Sequence, residues 1–189
     1  MHNAYKHFSY SAYLKALLFL LTVPLTGALN AQTTLAPGDA VFTLINMEGN
    51  NDDAFGFVLL SAVEAGTQIS VTDKEYTTGT GFEAAEGYLT ITFTTAFPCG
   101  TEVIITDMDP DPPVYAFGTT TPGITVSDNT DQGFQLSSAG ETLVMYQGDN
   151  HVSPCSTCFV TALANTGVGF GVATTGSGDL PPGLVEGQS

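Results

Sequence analysis

Three aspartates at alternate positions, Asp107, Asp109 and Asp111 in Asp107-Met-Asp-Pro-Asp-Pro-Pro113, make the strongest cluster of carboxylates in this chain. Carboxylates spaced in this way along a loop can converge on one point, and calcium, a hard cation, takes roughly six to eight oxygen ligands. The spacing matches the opening of a helix-loop-helix calcium loop. Pro112, however, falls where that loop requires glycine, and Gly118 falls where it requires the closing glutamate. Calcium would therefore need a β-loop site, helped by Asn50, Asn51, Asp52 and Asp53 or by Asp128, Asn129 and Asp131. The alternative, and the simpler reading, is that these are solvated turn residues on a protein that is acidic everywhere.

Cysteine chemistry is the second option. Cys99, Cys155 and Cys158 are the three cysteines. In an oxidising compartment Cys155-Ser-Thr-Cys158 would close on itself, or either member would bridge to Cys99, leaving one thiol over. A thiol–disulfide enzyme embeds such a pair at a helix start, and zinc needs a fourth ligand that only His151 could approach. A plain structural disulfide is the expectation.

Nucleophilic catalysis needs a serine or cysteine, a base and an orienting acid. His151 is the one histidine outside the first 31 residues, and no Gly-x-Ser-x-Gly elbow is present. Paired-carboxylate glycoside hydrolysis depends on a separation in space that sequence does not display; tryptophan, a common sugar platform, is absent. The glycines of Gly167-Val-Gly-Phe-Gly-Val172 lack the third glycine and the β-α-β setting of a nucleotide fingerprint, and are read as a closely packed strand. Tyr76, Tyr88, Tyr115 and Tyr146 would form either a ligand-facing aromatic patch or, more simply, core and rim. No catalytic set assembles, and the chain is expected not to be an enzyme.

The elements that must position these residues are strands. Twenty-one glycines, twelve phenylalanines and abundant threonine and valine favour extended segments separated by tight turns. The runs are Ala40–Asn46, Phe55–Ser61, Gln68–Thr72, Tyr88–Thr94, Glu102–Thr106, Val114–Phe117, Gly133–Ser137, Thr142–Tyr146, Cys158–Ala162 and Gly167–Ala173. In Tyr88-Leu-Thr-Ile-Thr-Phe-Thr94 strict alternation sends Leu89, Ile91 and Phe93 to a core and the threonines to water. Phe82-Glu-Ala-Ala-Glu-Gly87 has helical composition but is too short to stand alone. A turn-plus-strand pattern occurs twice, in Ala62–Asp73 and Ala96–Asp107, with Gly66 and Gly100 standing 34 positions apart.

Residues 1–31 read as a signal peptide: Lys6 and Lys15 precede the apolar run Ala16–Leu25, and small residues surround Ala28 and Ala31. The run is interrupted by Pro24 and shorter than a spanning helix, so no membrane insertion is expected once the signal is removed. Residues 32–38 read as a short linker and 39–189 as a single domain. Beyond residue 31 the chain holds all 19 acidic residues and one cation, Lys74. Such a surface repels phosphate backbones and anionic lipid, which excludes nucleic acid as a partner.

Leu35-Ala-Pro-Gly-Asp39, Asp53-Ala-Phe-Gly-Phe-Val-Leu-Leu60, Ala65-Gly-Thr-Gln-Ile-Ser-Val-Thr-Asp73, Gly133-Phe-Gln-Leu-Ser-Ser-Ala-Gly-Glu-Thr-Leu143 and Leu180-Pro-Pro-Gly-Leu184 together resemble a module of bacterial secreted and cell-surface proteins. That module is similar to lamin-tail-like, immunoglobulin-type domains. The resemblance implies an all-β antiparallel sandwich and a binding, adhesion or accessory role, and brings no catalytic residues. The chain stops at Ser189 without the strand such a module would place after Leu184, so a fragment is one reading. The expected function is a secreted or cell-surface non-catalytic module that binds an extracellular glycan or protein surface. The alternative is an accessory domain of an extracellular hydrolase whose catalytic part lies beyond Ser189.

Overall fold

The computed structural model describes residues 31–47, 53–83, 86–107, 117–128, 134–148, 151, 156–166, 169–171 and 178–187. Among them are eleven strands and no helix: β1 Ala40–Asn46, β2 Ala54–Leu59, β3 Gln68–Thr72, β4 Tyr76–Thr77, β5 Gly81–Phe82, β6 Tyr88–Phe93, β7 Glu102–Asp107, β8 Phe117–Gly118, β9 Ile124–Asp128, β10 Thr142–Tyr146 and β11 Phe159–Ala164. All pairings are antiparallel. One sheet has the order β1-β2-β7-β8, a second has β11-β10-β3-β6-β9, and β4-β5 is a separate small hairpin.

Both sheets contribute to one apolar cluster. Phe55, Phe57, Val103 and Ile105 from the four-stranded sheet meet Ile69, Val71, Leu89, Ile91 and Phe93 from the five-stranded sheet. Alternation makes this possible: in β6 the residues Leu89, Ile91 and Phe93 are fully buried while Tyr88, Thr90 and Thr92 are half-buried on the other face.

The twice-occurring turn-plus-strand pattern explains how the sheets are joined. The chain crosses from β2 to β3 through Gly66 and from β6 to β7 through Gly100, each crossing linking the two sheets in the opposite sense. Val63 and Phe97 exchange two backbone hydrogen bonds, N to O 2.9 and 2.8 Å. Around them the bonds at the two turns match in pairs, donor and acceptor each displaced by 34 positions. Gly66 N donates to Phe93 O at 2.7 Å and Gly100 N to Leu59 O at 2.7 Å; Phe93 N donates to Thr67 O at 2.9 Å and Leu59 N to Thr101 O at 2.9 Å. The crossings are thus related by a local two-fold axis. Both turns need a left-handed residue, with φ of 88° at Gly66 and 86° at Gly100.

The five-stranded sheet is covered on both faces at β10. Leu143 and Met145 enter the main core, while Val144 and Tyr146 join Tyr76, Phe82, Phe159 and Leu184 in a second cluster on the outer face. Burial on both sides is why Thr142-Leu-Val-Met-Tyr146 is apolar without alternation. The hairpin β4-β5 and residues 178–187 form this cover. Thr78 N donates to Asp179 Oδ2 at 2.8 Å and Asp179 N to Tyr76 O at 2.6 Å.

Several elements differ from the sequence reading. Phe134–Ser137, expected as strand, is irregular, yet Phe134 is fully buried with its ring 4.9 Å from that of Phe117 and 5.6 Å from that of Phe55. Gly169–Gly171 is not strand, and of the stretch expected to run from Val114 only Phe117 is described, opening β8. Phe82, at the head of the helix-like stretch, lies in β5. The pairs Tyr76–Thr77 and Gly81–Phe82 were too short, and Ile124–Asp128 too polar, to stand out as strands. Within residues 32–38 Leu35 is buried in the main core, and Thr33 and Leu35 are hydrogen-bonded to Thr67 and Gln147 beside the five-stranded sheet.

Two outcomes follow for stability. Neither Gly66 nor Gly100 has neighbours that a Cβ would strike, so Gly66→Ala and Gly100→Ala should each cost about 1–2 kcal/mol through backbone strain alone, and by matching amounts. Urea denaturation checks this; a large disparity between them would break the two-fold relation. Phe134→Ala should cost about 3–5 kcal/mol, as a core phenylalanine does, despite its irregular segment.

Candidate functional site: a polar cleft on the five-stranded sheet

Beside the second cluster the outer face of the five-stranded sheet turns polar. The strand order places β3 between β10 and β6, which brings Tyr146 opposite Ser70 and Ser70 opposite Thr90. Residues 32–34 lie along one side of these strands. The result is a cleft of about 380 Å³, with Gln68, Ser70, Thr90, Gln147 and His151 among its lining residues.

Gln147, the residue after β10, fastens the segment that forms that side. Its Oε1 accepts from Leu35 N at 2.7 Å, and its Nε2 donates to Thr33 O at 2.9 Å and Gln68 O at 3.0 Å. Thr33 is held further: its N donates to Thr67 Oγ1 at 2.9 Å, and its Oγ1 accepts from Glu64 N at 2.9 Å. Gln32 Nε2 reaches Gln68 O at 3.1 Å.

At the other end His151 is half-buried, its ring stacked on Tyr88 with centroids 3.6 Å apart and planes at 15°. Its Nδ1 lies 2.8 Å from the hydroxyl of Tyr146. Burial pushes the Tyr146 phenol up from its ordinary range, nearby Tyr88 adds to the rise, and a hydrogen bond with Ser70 opposes it. Tyr146 therefore stays protonated across physiological pH, and Ser70, Tyr146 and His151 form a chain of hydrogen-bonding groups. A lone loop histidine reads in sequence as exposed; here neighbouring strands hold it in a fixed place. Ser70 touches the phenol, which is not a base at neutral pH, so the chain offers Ser70 no activation as a nucleophile.

A different chemistry gathers at the end of the same sheet where β3 finishes. Asp73 is buried, with Oδ2 accepting from Gln135 N at 2.8 Å and Oδ1 unpaired. Glu141 is also buried, accepting from Ser137 N and Thr142 N, both at 3.1 Å. Burial pushes Asp73 up to about 8, opposed by the Gln135 bond and reinforced by Glu86 and Glu141. Burial likewise raises Glu86 to about 7, with Glu83 and Glu75 adding to it, and raises Glu141 to about 7 against its two backbone bonds.

The sequence-derived candidates are dispersed. Asp107 closes β7, and its backbone N donates to the backbone O of Asp53 at 2.8 Å, so two of the residues considered for calcium are neighbours along the backbone. Asp109 and Asp111 lie outside the described residues, as do Asn50, Asn51, Asp52, Asn129 and Asp131. Among the described residues no group of three histidine, cysteine, aspartate or glutamate side chains could hold a metal. Cys99 is a free, exposed cysteine whose Sγ lies 3.0 Å from Leu60 O, so it forms neither of the bridges considered for it. Cys155 lies outside the described residues. Of the tyrosines, Tyr76 and Tyr146 are core, Tyr88 is the stacking partner of His151, and Tyr115 is outside the described residues.

No protein-family model matches the chain, and no match was found among curated proteins or solved structures.

The raised acids fix a pH dependence. Their folded values lie above the ordinary 3.8 and 4.5, so the folded state binds more protons than the unfolded state between those values and about 8. Their stabilising contribution is complete in acid and lost as pH rises through 7–8. Melting temperatures across pH 4–9 should therefore fall more steeply for the natural chain than for Asp73→Asn. Parallel curves would show that Asp73 does not hold its proton.

Proposed function

We propose that this chain is an exported, non-catalytic binding module on an immunoglobulin-type β-sandwich, similar to lamin-tail-like domains, and that its polar cleft takes a neutral, polyhydroxylated ligand such as a glycan. The observation that carries this is the lining. In a chain with 19 acidic residues, the described residues that line this cleft are amides, hydroxyls, a glycine and one imidazole, with no carboxylate among them. Such groups both donate and accept, which matches hydroxyl-rich ligands and gives no counter-charge to ions. Two antiparallel sheets around one core support the sandwich. The basic and apolar character of residues 1–31 supports export.

Export also favours oxidised cysteines. Cys158 is disulfide-bonded, Cys99 is free, and the chain has three cysteines, which supports Cys155 as the partner of Cys158. Unreduced, denatured protein should titrate as one thiol, from Cys99. Three thiols would refute the bridge.

The ligand class is tested by calorimetric titration with neutral oligosaccharides and, in parallel, with uronic-acid oligomers. Neutral sugars should bind, and Thr90→Val or His151→Ala should weaken them about fivefold each, the worth of one hydrogen bond. Preference for the acidic oligomers, or indifference to both substitutions, would defeat the reading.

A further inference from the structure

Away from the polar cleft, the outermost strands of the two sheets, β1 and β11, run beside each other. They are tied at one point, where Gly38 N donates to Val160 O at 2.8 Å. Beyond it a groove of about 450 Å³ opens, lined by Ala40 and Val41 of β1, Ala162–Ala164 of β11, Leu60 and Phe170. Val41 is 37% exposed and Leu60 50%, two of the four large hydrophobic side chains among the described residues that face solvent. Among the described residues of the lining the one that carries a charge is Glu186.

Among the described residues β10 is the only strand paired with β11, which leaves the far backbone edge of β11 on the side of this groove. An exposed edge next to apolar side chains is a template for one more strand. The charge selects the strand: a chain formally at −16 repels acidic segments at long range, and Glu186 offers a local partner for a cation.

We propose that the β1–β11 groove binds an extended peptide with alternating apolar side chains and a lysine or arginine. The peptide pairs by backbone hydrogen bonds with Ala162–Ala164, rests its apolar side chains on Val41 and Leu60, and sets its cation against Glu186. This site is separate from the polar cleft and stands or falls independently of it.

The probe is a pair of synthetic peptides, acetyl-Val-Thr-Val-Lys-Val-Thr-amide and the same sequence with glutamate for lysine, titrated into the isotopically labelled protein and followed by amide chemical shifts. The lysine peptide should shift the amides of residues 162–164, and 0.5 M salt should weaken it. Glu186→Gln should weaken it about two- to fivefold, the range of an exposed ion pair. Leu60→Asp should abolish the shifts, and the milder Leu60→Ser should weaken binding if the aspartate variant does not fold. No shift with the lysine peptide, shifts confined to the cleft around Gln68 and His151, or equal binding of the glutamate peptide would each overturn the proposal.

Discussion

A chain that builds two facing sheets has to pass between them, and each passage exposes backbone groups that must find partners where the core begins. Here the two passages satisfy each other. Val63 and Phe97 bond in both directions, and the flanking donors and acceptors of Leu59, Gly66, Thr67, Phe93, Gly100 and Thr101 are exchanged around them. This clasp fixes where β2, β3, β6 and β7 enter their sheets, and hence which faces of those four strands look inward. A slip of one residue at either crossing would turn Phe55 and Phe57, or Leu89 and Ile91, away from the core.

The remaining strands add to that frame, and their additions create the site. β10 pairs with the outer side of β3 and brings Tyr146 and Gln147 to the edge of an otherwise threonine-rich surface. The hairpin β4-β5 and residues 178–187 cover the apolar half of that surface and leave the polar half open. The segment ahead of β1 is held by Thr67 and Glu64 and again by Gln147, whose side-chain amide bonds Leu35 N and Thr33 O on the segment and Gln68 O on β3, which makes the segment a side of the cleft. Position in the sheet order, more than residue type, separates Tyr146 as a core residue from Tyr88 as a stacking platform for His151.

What could be read in advance depended on how local its cause is. Gln68–Thr72 and Tyr88–Phe93 carry period-two alternation and strong strand formers, so they are visible from composition and spacing. The recurring turn-plus-strand pattern was visible too, through Gly66 and Gly100, but nothing local tells that the copies lie in different sheets and bond to each other. Phe134 shows the opposite case. Its apolar surroundings look like a strand, whereas it is tertiary packing against Phe55 and Phe117 that holds an irregular segment in place. The cleft was not legible, because Gln68, Ser70, Thr90 and His151 become neighbours only through the order β10-β3-β6. In sequence each reads as an ordinary surface residue. The aspartates that did stand out, Asp107, Asp109 and Asp111, drew notice through their density alone.

The formal charge of −16 counts every carboxyl as ionised. With Asp73 held near 8 and Glu86 and Glu141 near 7, about two protons remain on these three groups at neutrality. The folded chain is therefore less anionic than its composition states, and it buffers in a range where ordinary carboxylates no longer exchange protons. Unfolding at pH 7 would release those protons to the solvent. The same polypeptide then migrates in an electric field with a different charge on either side of its folding transition.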